Sequence, residues 1–188
     1  MLSSLALGLL CGGKSSRFGS NKAVADIDGA PLIQAVAEQL KSLKLPLWLL
    51  SHTPEPYPFL QLPYLLDATP GAGPLAALSS AFEQTSYEYF LLVACDMPKL
   101  DLQLLQELIL QKKKAPALVP KDSQGPQFLS ALYSRSLLNL LTQFVRQGGR
   151  SFKKFFELYP DSVAFIETGT KLYNINTKQE FEEYLYAR

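Results

Sequence analysis

Between Leu10 and Lys22 the chain gathers Gly12, Gly13 and Gly19 with Lys14, Arg17 and Lys22. Glycines let backbone N–H groups approach an anion closely, and neighbouring cations neutralise it. The stretch follows an apolar run over residues 5–10 that reads as a buried strand. A strand that feeds a glycine-rich, cationic loop near the start of an α/β chain is a phosphate-handling arrangement. It implies work on a nucleotide. Further polar residues follow later strand-like runs: Ser51, His52 and Thr53, then Asp67, then Asp96, then Asn174 and Asn176. In open α/β sheets ligands bind beyond the carboxyl ends of the strands, so these positions are candidates for one site.

The elements that must position them alternate. Apolar runs at 45–50, 64–66 and 89–94 read as strands. Residues 117–120, 128–133 and 163–167 read as later ones. Between them, Ile33, Val36, Ala37 and Leu40 form the stripe of an amphipathic helix over 31–43. Gly71 and Gly73 mark a turn, and Pro74 suits the first position of a helix running to about residue 84. Asp101 can cap the next helix. Helices are also expected over 136–147 and 151–158, and Thr177-Lys178-Gln179-Glu180 is a capping box for a terminal helix. The four prolines at 54, 56, 58 and 63 make that stretch a loop. The alternation predicts an α/β fold of three layers (α/β/α, Rossmann-like) with a mostly parallel central sheet.

Composition narrows the functions. The 188 residues suit a single domain, 1–188, with a substantial core. Lys plus Arg is 18 and Asp plus Glu is 17, for a net charge of +1, which is no footprint for nucleic acid or an acidic membrane. Cys11 and Cys95 form no disulfide framework and no metal-type Cys/His spacing. The N-terminal apolar run lacks a basic segment before it and ends at Gly12-Gly13, so neither a signal peptide nor a membrane span is read, and a cytoplasmic location is expected.

Two readings compete for the glycine loop. Gly8 to Ser15 satisfies the P-loop string G-x-x-x-x-G-K-[ST], with Asp96 as a partner carboxylate. That reading puts Leu9 and Leu10 in the phosphate loop and Gly19 one turn into its helix, which the apolar run disfavours. The longer pattern L-x-G-G-x-S-x-R-x-G-x-x-K, Leu10 to Lys22, resembles the signature loop of sugar-nucleotide-type nucleotidyltransferases, and within them the molybdenum cofactor guanylyltransferase family. Asp28-Gly29-Ala30-Pro31-Leu32, Asp67 followed by Gly73-Pro74-Leu75-Ala76-Ala77, Ala94-Cys95-Asp96-Met97-Pro98 and Asn174-Ile175-Asn176-Thr177 agree with that family's segments in order and spacing.

The resemblance implies transfer of GMP from GTP to molybdopterin, or Mo-molybdopterin, with release of pyrophosphate. A protein that delivers molybdopterin is an implied partner, and Mg²⁺ an implied cofactor. It implies nucleotide contacts from Leu10, Cys11, Gly12, Gly13, Lys22, Thr53, Asp67 and Asp96. Arg17 and Lys22 would hold the triphosphate and the departing pyrophosphate, and Asp96 would ligate the metal. Asn176 would serve a second metal or the acceptor. Both reactants are anionic, so cations aimed at their oxygens are the natural catalysts. The chain departs from the family where Ser51-His52-Thr53 replaces a strand-end asparagine that often contacts the nucleotide; Thr53 or Ser51 would have to substitute, with His52 at the rim. A related cytidylyl or sugar-phosphate nucleotidyltransferase is the alternative. Cys11 and Cys95 are expected side by side near the metal site, and the 121–127 and 148–154 segments at the acceptor rim, with Arg150 as a phosphate contact.

Overall fold

The computed structural model describes residues 4–11, 18, 21–27, 29–69, 71–169 and 171–186. Strand β1 is Leu5–Leu10, and a two-residue hairpin, β2 (Asp26–Ile27) and β3 (Ala30–Pro31), leads into helix α1 (Leu32–Lys41). Strands β4 (Leu47–Ser51) and β5 (Tyr64–Leu66) precede α2 (Pro74–Gln84). Then come β6 (Tyr89–Ala94), α3 (Leu102–Leu110), β7 (Ala117–Asp122), β8 (Gly125–Pro126) and β9 (Ser130–Ser134). Helices α4 (Leu138–Arg146) and α5 (Phe152–Leu158), strand β10 (Val163–Glu167) and helix α6 (Lys178–Tyr186) complete the order.

The main sheet runs β10-β7-β9-β6-β1-β4-β5, with β8 folded back on β7. Strand β1 lies between β6 and β4 and is parallel to both, with Leu10 opposite Ala94 on one side and Leu50 on the other. Strand β9 is antiparallel to β6 and β7. Period-two alternation sends side chains of β1 to two faces. Leu5, Leu7 and Leu9 join a core with Leu32, Ile33, Val36 and Leu40 of α1 and Leu104, Leu105 and Leu108 of α3. Ala6 and Leu10 join a second core with Leu75, Leu78 and Phe82 of α2, Leu141 of α4 and Phe155 of α5. Burial of both faces explains why β1 and β6 read as continuous apolar runs. The three-layer expectation is met.

The elements differ from the sequence reading in three places. Strand β9 begins at Ser130 rather than 128, because Phe128 leaves the ladder to stack on Phe152, 5.7 Å between ring centroids. The helix expected from 136 starts as a 3-10 turn, Arg135–Leu137, with the Ser134 hydroxyl accepting from Ser136 N–H. Arg135 points away from it and donates to the carbonyls of Phe82, Thr85 and Tyr87, which ties off the end of α2. The proline-rich loop contains one 3-10 turn, Pro58–Leu60, flanked by Tyr57 and Gln61 at φ 55° and 51°. Asp101 caps α3 by accepting from Leu104 N–H at 3.0 Å, as its type predicted.

Candidate active site

The carboxyl ends of β1, β4, β5 and β6 surround a cavity of about 510 Å³ with the start of α2 along one side, a size suited to a nucleotide-sized ligand. One end is built by β1 and β6. Strand β6 hands over to Cys95, whose N–H extends the ladder to Leu10 O at 3.1 Å, and Asp96 follows. Lys22 is set by a local turn: Asn21 caps the 3-10 segment Lys22–Val24 by accepting from Ala23 N–H. Its ammonium donates to Asp96 Oδ2 at 2.8 Å and to Ile175 O at 2.6 Å. The same Ile175 donates its N–H to Asp96 O at 2.8 Å. The two side chains are 12% and 21% exposed, so the pair is partly desolvated, and the backbone of Ile175 bonds to both residues.

The strap that carries Ile175 is itself pinned. Thr177 Oγ1 accepts from Glu180 N–H, and Glu180 Oε2 accepts from Thr177 N–H at 2.9 Å, the reciprocal capping box foreseen in the sequence. Those backbone donors, with that of Asn176 first, hold the Glu180 carboxyl below its usual range. On the other side of the strap, Asp122 is buried and accepts from Leu172 N–H, Gln124 N–H and Gln127 Nε2. Burial pushes the Asp122 carboxyl up, but these donors and Lys171 outweigh it and hold it below its usual range.

The other end is built by β4 and β5. Asp67 follows β5, its N–H bonded to Ser51 O at 2.8 Å. Burial pushes its carboxyl up to about 6, and the neighbouring His52 opposes that shift. Gly71, Gly73, Pro74 and Ala77 line the wall between Asp67 and α2. Gly73 sits at φ +82°, where a Cβ is strained, and it lets the chain turn into Pro74 at the first helical position.

Of the candidates from sequence, Leu10, Cys11, Lys22, Asp67 and Asp96 line this cavity together. Gly12, Gly13 and Arg17 lie outside the described residues. Thr53 is exposed and is not part of the lining, because the Ser51 hydroxyl accepts its N–H at 3.1 Å and bonds its hydroxyl at 3.2 Å, curling the chain outward. His52 lines the cavity instead. Asn176 is exposed beside the capping box, with its N–H on Glu180. Its neighbour Asn174 turns inward, where its Oδ1 is buried without a hydrogen-bond partner among the described residues.

Cys11 and Cys95 both line the cavity in successive register after Leu10 and Ala94. Burial pushes both thiols up to about 12, which keeps them protonated and poorly nucleophilic at neutral pH. Arg150 does not stand free as a phosphate contact: its Nη1 donates to Val145 O and Gly149 O at the end of α4. Sequence reasoning missed Tyr57 and Leu129, which also line the cavity. Tyr57 lies in the proline-rich loop and exchanges hydrogen bonds with the Asn21 side chain at 3.2–3.3 Å; no periodicity could have found it.

Gly8, the first glycine of the P-loop string, is inside β1. A Cβ there would approach Leu50 and Leu92 side-chain atoms to 2.9 Å, so this glycine serves packing over the strand. Among the described residues no helix is long and apolar enough to cross a membrane.

Comparison with known proteins agrees with this geometry. Residues 8–162 match the MobA-like NTP transferase domain. The chain is 33% identical to a probable molybdenum cofactor guanylyltransferase of Nostoc sp., an alignment covering 92% of this chain and 86% of that one. It is 31% identical to a protein of the same description from Clostridium perfringens, with 93% of each covered. In fold it resembles the molybdopterin-guanine dinucleotide biosynthesis protein A of Archaeoglobus fulgidus, with a TM-score of 0.83, 22% identity and 97% of each chain covered. A strand-end carboxylate paired to a loop lysine, on a sheet of this order, is thus found in a chain that belongs to the MobA-like NTP transferase family.

Proposed function

We propose that this protein transfers GMP from GTP to molybdopterin, in its free or molybdenum-bound form, and releases pyrophosphate. The observation that carries the reading is that one cavity joins the Lys22–Asp96 pair to Asp67. Similarity to probable molybdenum cofactor guanylyltransferases supports the reading.

In this reading the guanine lies at the β4/β5 end. The Asp67 carboxylate accepts from the base's N1–H and N2–H groups, a match that adenine and cytosine do not offer. The triphosphate extends along the start of α2 toward Lys22. A phosphate oxygen of the acceptor attacks the α-phosphorus, a new P–O bond forms, and the bond between the α- and β-phosphates breaks. Lys22 neutralises the oxygens that gain charge as pyrophosphate departs, in a partly desolvated setting where such contacts are strongest, and the family resemblance gives Arg17 the same task.

Magnesium fits the donor set. Among the described residues no group of three or more His, Cys, Asp or Glu gathers to form an all-protein cage. Asp96 offers one carboxylate beside the space for phosphates, and Mg²⁺ favours one or two carboxylates with phosphate oxygens. Asp96 would hold the ion, which when bound supplies charge neutralisation to the triphosphate. The buried Asn174 Oδ1, which no described residue hydrogen-bonds, lies on the strap one residue before Ile175 and is a better candidate than the exposed Asn176 for a further polar contact. The acceptor-delivering partner and the cytoplasmic setting remain part of this proposal.

Purified protein with Mg²⁺ should release pyrophosphate from GTP when molybdopterin is supplied, and should turn over CTP and ATP far more slowly. Orthophosphate release without an acceptor would overturn the reading. Preference for CTP would replace it with cytidylyl transfer.

A further inference from the structure

His52 stands in the cavity wall without a part in the chemistry described above. It follows Ser51, which pairs with Leu66 across β4 and β5. His52 and Asp67 are therefore the residues by which the chain leaves two paired parallel strands, whose spacing is about 4.8 Å. Leu50 and Leu65, two residues before them, enter the core under α2, and His52 and Asp67 both line the cavity. None of the described residues hydrogen-bonds the His52 imidazole. Burial raises the Asp67 carboxyl, and the charge of His52 opposes that rise.

The order of donors and acceptors on guanine makes this pairing informative. The base presents N2–H and N1–H donors and, directly beside them, the O6 acceptor. A carboxylate takes the two donors. The complementary group next to it must donate, and an imidazole N–H does so in either neutral tautomer or as the cation. Adenine would place an amino group where O6 stands and a bare ring nitrogen against the carboxylate. Cytosine would place acceptors there.

We propose that His52 is a specificity-determining residue, its imidazole N–H donating to guanine O6 while Asp67 holds N1–H and N2–H. The assignment rests on the guanylyl reading of the cavity. It moves the strand-end contact from Thr53, which the Ser51 hydroxyl turns outward, to the residue before it.

The test is equilibrium binding of GTP, 6-thio-GTP, ITP and CTP to the full chain with His52, His52→Ala or His52→Gln. Sulfur at position 6 is a weak acceptor and reports on His52; loss of the 2-amino group in ITP reports on Asp67. The protein with His52 should bind GTP about tenfold more tightly than 6-thio-GTP, the value of one hydrogen bond. His52→Ala should bind GTP about tenfold more weakly and treat the two nucleotides alike. Its GTP-to-ITP ratio should stay within about twofold of the parent's. His52→Gln, which keeps an N–H donor, should recover discrimination at position 6. An unchanged GTP-to-6-thio-GTP ratio in His52→Ala, with GTP still preferred over CTP by the parent, overturns the His52 assignment alone. A parent protein that does not prefer GTP over CTP overturns the guanylyl reading and this assignment with it. Because His52 is exposed on a loop, its truncation leaves the core intact.

Discussion

At the β1/β6 end of the cavity, Lys22 and Asp96 neutralise one another at 2.8 Å and share the backbone of Ile175. At the β4/β5 end, burial leaves the Asp67 carboxyl raised to about 6, with His52 offsetting only part of that shift. The difference separates two tasks. A charge already paired and held by backbone is preorganised, which suits a group that must meet developing charge without rearranging. A carboxylate that is poorly solvated and lacks a full partner gains most when a ligand brings donors to it. Under the proposed guanylyl transfer, the first end would serve rate and the second the choice of base.

That division can be broken most sharply at Lys22. Lys22→Ala should lower the rate of pyrophosphate release about 10²- to 10³-fold, while the preference for GTP over CTP stays as it was. A variant whose base preference collapses instead would show that the two ends are not separate. Asp67→Asn is the converse. Its GTP affinity should fall about 10- to 100-fold, the range for hydrogen bonds to a charged group, with turnover at saturating nucleotide nearly retained. Equilibrium binding and steady-state rates on the same preparation would distinguish the two outcomes.

Acid sharpens the contrast further. Lowering the pH from 7.5 to 5.5 protonates Asp67 through about 6, and GTP affinity should fall about fourfold. Stability of the ligand-free protein moves the other way. A carboxyl raised in the folded state contributes stability that is present below its unfolded value and is lost as pH rises through about 6. The ligand-free chain should therefore lose up to about 1 kcal/mol from this group between pH 5 and pH 7.5, after allowance for solvent screening. Asp67→Asn should remove both trends, as binding titrations and urea unfolding at the two pH values would reveal. The smallest expected effect is that of Tyr57→Phe, which frees Asn21 from an exposed hydrogen bond. Turnover should fall about twofold, and discrimination between bases should not change.

Much of the first end could be read from the chain itself. An apolar run feeding glycines and cations, and Asp96 at the exit of another apolar run, mark strand ends by composition alone. The capping box at Thr177 foretold the turn that steadies Ile175, because its two hydrogen bonds depend on four consecutive residues. The second end was less legible. Whether Thr53 or His52 faces the cavity depends on a bond that the Ser51 hydroxyl accepts from Thr53 N–H, a competition between side chain and backbone that residue type does not decide. The same holds for Asn174 against Asn176, and for Arg150, whose donors go to the end of α4. Tyr57 enters from a loop without periodicity, at a positive φ that nothing in its neighbours announces. Local patterns were readable; orientation set by contacts distant in sequence was not.

The hydrogen bond from Lys22 to Ile175 spans 153 positions of the chain. Contacts of that separation form only after the intervening loop has paid its closure entropy. During synthesis the segments that carry Lys22, Asp67 and Asp96 emerge well before the strap that locks the ammonium in place. The nascent protein would thus hold an assembled sheet with an unfinished site, and competence would arrive only with the strap. A chain cut short before Ile175 would retain most of its core yet lose the carbonyl that fixes Lys22, so that folding and activity would be completed at different moments.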